Sequence, residues 1–261
     1  MRPAIWAYVN FHETLRMSLR NIFGALLLST MSATATASVT LLGSRIIYPA
    51  PASSINIQFK NDDNIPYVIQ TWFDDGDMDA KPQQINRVPF ITTPPVFRIQ
   101  PKSGQVARIV LSQSEKLPQD RESVYWFNML QIPPTSQAAA DKNAMTVMLR
   151  NRVKFFYRPA AIGKPGNILN GIKVRALSDP HKGSGLQIDN AQPWHASFVA
   201  ISIRMMGKNV ECEPVMVAPF STHTCWFSHT KQRLQGVGSV KLDAINDQGA
   251  RISESYPINS Q

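Results

Sequence analysis

In SINIQFKN (54–61), apolar and polar side chains alternate strictly. Ile55, Ile57 and Phe59 share one face; Asn56, Gln58 and Lys60 share the other. That is the period of a strand with one buried face. The same kind of segment recurs along the chain. SVTLLGSRIIYP (38–49) is apolar and β-branched until Pro49, and PYVIQTWF (66–73) is closed by the turn Asp74-Asp75-Gly76-Asp77. VPFITTPPVFRIQP (88–101) reads as strand, double proline, strand, and either Pro94 or Pro95 can carry a cis bond. QVARIVLS (105–112) follows. SVYWFNMLQIP (123–133) is nearly continuous in large residues, which predicts a central, buried strand. TSQAAADKNA (135–144) is a polar loop, and MTVMLRNRVKFFYR (145–158) is the longest strand candidate.

After Arg158-Pro159 the pattern restarts. NILNGIKVRAL (167–177), GLQIDN (185–190), HASFVAISIRMM (195–206), SVKLDAIN (239–246) and ARISESYPI (250–258) all read as strands, as do the stretches around Cys212 and Cys225. No segment has a convincing helical period, and no 20–50-residue repeat is present. Short strands punctuated by 19 prolines and 13 glycines, in two successive sets, predict an all-β chain of two sandwiches. The expected division is 38–158 and 159–261.

Composition adds a compartment. MSLRNIFGALLLSTMSATATA (17–37) has a basic start at Arg20, an apolar run from Ile22 to Leu28, and Ala35-Thr36-Ala37 as a cleavage pattern. Residues 1–37 are therefore expected to be an export signal, with Met17 as an alternative start. The formal charge is +9, and the first 37 residues hold three arginines and one glutamate, so a chain from Ser38 keeps about +7. Such a charge suits acidic partners without choosing among them. No later stretch is long and apolar enough to span a bilayer. In an exported chain the even pair Cys212 and Cys225 reads as a disulfide. The alternative is a metal site using His223 and Cys225, which share strand parity, with His229 nearby. No established ligand spacing supports it, so neither metal nor cofactor is expected.

Enzymatic motifs are missing. Ser184 sits in KGSG rather than GxSxG, and there is no phosphate loop and no GxGxxG. The basic cluster LRNRVK (149–154), followed by aromatics, would suit a nucleic acid groove, but export argues against that partner.

One stretch raises a functional question. In MTVMLRNRVK, Met145, Val147 and Leu149 occupy one face at period two; Thr146, Met148, Arg150, Arg152 and Lys154 occupy the other. The segment is either an ordinary amphipathic edge or an open edge offered to a partner strand. Arg45, in GSRIIYP, is likewise a cation in an apolar strand. Cations buried or set in a cleft require a counter-charge. A chain-terminal carboxylate would satisfy two at once.

The chain resembles the PapD-type periplasmic pilus-assembly chaperones. The resemblance is carried by IPYVIQTW (65–72), FITTPPVFRIQP (90–101), LPQDRESVYWFNMLQIPP (117–134), VKFFYRPAAI (153–162) and AINDQG (244–249). It implies two immunoglobulin-like sandwiches in a boomerang arrangement and a non-enzymatic role in the periplasm. It implies that Arg45 and Lys154 anchor the C-terminal carboxylate of a pilus subunit. Met145, Val147 and Leu149 would fill the subunit's open groove as a donated strand, and an outer-membrane usher would receive the complex. Arg98, Glu122 and Asp247 fall on an interdomain charged network. The short 135–144 loop resembles the branch serving rod-like pili. Self-association of the free chain through its apolar edge is a further expectation. Lys154 is out of parity with the apolar row, so twist or a bulge must reconcile them, or the two sets face different parts of the ligand. A pilus subunit is the structural rival, but it would be a single incomplete sandwich with an alternating N-terminal extension. A secreted enzyme or metal-binding module on the same fold is the other.

Overall fold

The computed structural model describes residues 38–80, 82, 88–112, 117–134, 145–205, 208–227 and 239–258. The expected export signal, the 135–144 loop and His229 lie outside the described residues. Among those described, the chain is built from seventeen strands with two short 3-10 turns.

The first sandwich packs two sheets. One has the order β1 (Val39–Leu41), β3 (Ser54–Asn61), β7 (Gly104–Leu111), β5 (Phe90–Thr93). The other runs β2 (Arg45–Pro49), β9 (Leu149–Arg158), β8 (Ser123–Ile132), β4 (Tyr67–Asp74), β6 (Val96–Ile99). The stretch expected as one strand over 38–49 is thus split. Its first part pairs with β3 and its second with β9. Gly43 lies in the break at φ +102°, a conformation L side chains rarely adopt, which lets the chain turn from one sheet to the other. The alternation of β9 sends Phe155 and Tyr157 inward. The Phe155 ring lies 4.5 Å from Phe90 and 5.0 Å from Phe73, in an aromatic core with Tyr48, Phe59 and Phe127. Strand β8 is central and pairs along its length with both β4 and β9. The Thr93–Pro94 bond is cis.

The strand expected over 145–158 is shorter than its pattern. Residues 145–148 have no ladder partner, and β9 begins where Leu149 meets Gln131 of β8.

The second sandwich pairs β10 (Ile172–Asp179), β11 (Gly183–Asn190) and β15 (Ser221–Trp226) in one sheet. The other has the order β13 (Lys208–Cys212), β12 (Ala196–Met205), β16 (Ser239–Ile245), β17 (Arg251–Pro257), with β14 (Met216–Val217) also on β12. A register shift between Phe198 and Ala200 explains why Ala196 and Phe198 face the core and Ile201 and Ile203, of opposite parity, do too. Cys212 and Cys225 form a disulfide that ties β13 of one sheet to β15 of the other, which removes Cys225 from any metal set.

Two stability tests follow from these contacts. The buried Asp74 carboxylate accepts hydrogen bonds from Arg152 Nε at 2.9 Å, Asn128 Nδ2 at 2.7 Å and the Gly76 amide at 2.9 Å. Burial alone would raise its pKa, but these donors outweigh burial and hold it below the ordinary carboxyl value. Its stabilisation is therefore complete above the unfolded pKa and disappears as pH falls through the lowered folded one. Asp74→Asn should cost about 3 kcal/mol at neutral pH. Urea titrations should show the gap from wild type closing as pH falls well below about 4. The disulfide closes a loop of sequence separation 13. Replacing both cysteines by serine should lower stability by about 3 kcal/mol, read from the same titrations.

Candidate functional site: two cations at the end of an open strand edge

Strand β2 runs parallel to β9, with Arg45 in register with Lys154. Neighbouring strands lie about 4.8 Å apart, so the ladder sets two cationic side chains side by side. Neither is matched by an adjacent carboxylate. Arg45 donates from Nη1 to the Ile245 carbonyl at 2.9 Å, and its guanidinium lies 5.8 Å from the Phe156 ring centre. Its Nε is buried without a hydrogen-bond partner. Lys154 donates from Nζ to Ser197 Oγ at 3.1 Å. Burial, and then the charge of Arg45, push the Lys154 ammonium below its ordinary pKa. Burial lowers Arg45 too, against a smaller opposing pull from Asp247 and Glu122. Two half-buried like charges in register are unfavourable by themselves and become favourable when an anion joins them. A cleft of about 360 Å³ opens here, lined by Arg45, Phe156, Arg158, Trp194, His195 and Asp247 among others. Lys154 is not part of that lining, because its ammonium is turned toward Ser197.

The cleft is held by a buried ion cluster. Arg158, at the end of β9, donates from Nε and Nη2 to Glu122 Oε1 at 3.1 and 2.7 Å. From Nη1 and Nη2 it donates to Asp247 Oδ2 and Oδ1 at 2.6 and 3.0 Å. The other Glu122 oxygen, Oε2, accepts from the His195 amide at 3.0 Å and lies 3.0 Å from His195 Nδ1. Glu122 belongs to the first sandwich, and Asp247 and His195 to the second, so the cluster joins them. Burial would lower the Arg158 guanidinium, but Asp247 and Glu122 more than compensate and raise it.

The expectation for Arg98 needs correcting. Arg98 sits on β6, the far edge strand of its sheet, exposed and paired with Val68. Strands β4 and β8 separate it from β9, so it cannot reach Asp247. The guanidinium between the two carboxylates is Arg158, and this was readable in part. Lys154, Phe156 and Arg158 share parity, so a strand that turns Lys154 toward a cleft turns Arg158 the same way. His195 carried no comparable signal.

Met145, Val147 and Leu149 are exposed, at 88%, 69% and 51% of their surface. The β8–β9 register is unbroken from Leu149 to Tyr157, so no bulge brings Lys154 onto their face. Leu149 shares parity with the core residues Val153 and Phe155, whereas Arg150, Arg152 and Lys154 face outward. Leu149 and the cations therefore lie on opposite faces of β9, and Met145 and Val147 precede the strand. Strand β2 covers β9 only from Lys154 to Arg158. Among the described residues, no strand pairs with that edge over 149–153.

Residues 38–163 match the family described as "Pili and flagellar-assembly chaperone, PapD N-terminal domain", and residues 172–256 match "Pili assembly chaperone PapD, C-terminal domain". The chain is 35% identical to the probable fimbrial chaperone YadV of Escherichia coli K12 over 224 residues, covering 85% of this chain and 90% of that one. It is 30% identical to the chaperone protein PapD of Escherichia coli over 235 residues, 86% and 88% of the two chains. The crystal structure of the YadV chaperone superposes with a TM-score of 0.70 at 31% identity, covering 85% of this chain and all of that one. Two sandwiches joined by a buried ion cluster, with matches spanning both, establish that the chain belongs to the PapD family of pilus-assembly chaperones, which are not enzymes.

Proposed function

We propose that this chain, in the periplasm, binds a pilus subunit by its chain terminus and lends it a strand. The observation that carries the reading is the pair Arg45 and Lys154, in register, half-buried and without a carboxylate of their own, at the point where the free edge of β9 begins. A terminal carboxylate there would accept charge-assisted hydrogen bonds from both, and from the unpartnered Arg45 Nε. The subunit strand would continue upstream along the uncovered edge at 149–153, with its backbone completing the ladder. Met145, Val147 and Leu149 would enter the subunit's own core. Residues 1–37 would act as the export signal and be removed. An outer-membrane usher would then receive the complex, and the length of the 135–144 segment fits the branch that serves rod-like pili. Free, the chain would be prone to self-association through the same edge.

Tagged protein recovered from its own periplasm tests this. Lys154→Ala should lose pilin-sized partners that copurify with wild type, while its unfolding midpoint stays equal or rises, because a half-buried like-charge pair has been relieved. Normal recovery from a folded variant would contradict the anchor. Val147→Asp should leave stability within about 0.5 kcal/mol, because the side chain is exposed, yet abolish subunit recovery. Unchanged recovery would remove the donated row from the account.

A further inference from the structure

The outer face of β9 carries Arg150, Arg152 and Lys154 at successive outward positions, and the first two differ in how their charge is met. Arg152 is paired with Asp74 through two nitrogens, at 2.9 and 2.5 Å, and lies 4.5 Å from the centre of the Trp126 ring. Arg150 donates from Nε and Nη2 to Asn128 Oδ1 at 3.0 and 2.8 Å and from Nη1 to the Met78 carbonyl at 2.7 Å. Both acceptors are neutral. The nearest carboxylate, Asp74, is 3.8 Å away and already accepts from Arg152 and Asn128. The Arg150 guanidinium also lies 5.0 Å from the Trp72 ring centre. It is therefore fixed in place by neutral contacts, with its charge only partly met and 32% of its side chain exposed.

Arg150 also lies on the uncovered part of β9. Strand β2 begins at the cation pair and runs parallel to β9. A partner strand that ends at the pair must point the same way, in line with β2. Directly paired residues of neighbouring strands put their side chains on the same face, about 5 Å apart. The partner residue opposite Arg150 thus points outward beside it, three positions upstream of the one opposite Val153, the last β9 position that β2 leaves uncovered.

We propose that Arg150 is a specificity-determining residue that favours subunits whose last strand carries an Asp or Glu side chain at this outward position, and disfavours those with Lys or Arg. The inference rests on the strand-docking reading above and names the chemistry of the partner at one further position. A carboxylate there meets a guanidinium already held in place, so little ordering is needed on the chaperone side, while a cation meets positive charge that Asp74 only partly offsets.

Synthetic peptides with a free C-terminus and alternating apolar residues test it, carrying Glu, Gln or Lys at the position opposite Arg150. Titrated into the purified chain, the Glu peptide should bind about threefold to fivefold more tightly than the Gln peptide, and the Lys peptide more weakly than both. Arg150→Gln should level Glu with Gln, and Arg150→Glu should invert the order. If Arg150 only buttresses the strand, its replacement weakens all three peptides equally, and that outcome overturns the proposal. Equal affinities for the wild-type chain overturn it too, while leaving strand docking intact. Failure of every peptide to bind overturns strand docking and this inference with it. The wild-type ranking needs no variant, so a folding defect in either substitution does not obscure the result.

Discussion

The cleft depends on one buried arginine. Arg158 is 6% exposed and is shared between Glu122 of the first sandwich and Asp247 of the second. A buried charge of this kind persists only when it is fully hydrogen-bonded, and removing one partner leaves the others costly to keep. Glu122 also grips backbone. Its other oxygen holds the His195 amide, and its own amide donates to the Pro193 carbonyl at 2.8 Å. The same few residues therefore tie side chain to side chain and backbone to backbone across the join. With this cluster in place, Ile245 stands where Arg45 can reach its carbonyl and Ser197 where Lys154 can reach its hydroxyl.

The contrast along β9 follows from that arrangement. Of the four basic residues that share one parity on β9, three show the range of fates. Arg158 is matched by two carboxylates, Arg152 by one, and Lys154 by none. The unmatched charge lies beside a second unmatched cation, at the end of a strand edge that no described strand covers. Opposite parity separates these cations from Leu149, so β9 offers charge on one face, with exposed hydrocarbon at its start and in the residues just before it. An exposed apolar edge is ordinarily an aggregation hazard. On the proposed reading, its retention next to two unmatched cations is what would make an amphipathic strand a docking site.

Much of this was legible because it is local. The alternation in 54–61 and the nearly continuous run of large residues over 123–132 are properties of neighbouring residues, and both strands formed as expected. The disulfide could be read from an even cysteine pair in a chain expected to be exported. What was not legible depends on distant partners. Residues 145–148 continue the alternation of β9 but lack a ladder partner, so the strand starts at Leu149. The 38–49 segment is largely apolar and β-branched, and nothing before the fold reveals that Gly43 divides it between two sheets. Arg98 and Arg158 are both basic residues in strands; only the strand order shows that one lies on a far edge and the other at the join. The register of Arg45 with Lys154 spans more than a hundred residues and is likewise a product of the sheet.

The central claim is that an unmatched pair of cations waits for a chain-terminal carboxylate. The most direct measurement is calorimetric titration of one subunit-tail peptide in two forms, free acid and C-terminal amide, into the purified chain. The account predicts that the amide binds at least about tenfold more weakly, the scale of a lost charge-assisted hydrogen bond, and that Arg45→Ala/Lys154→Ala abolishes the difference. Equal affinity of acid and amide for the wild-type chain would contradict it.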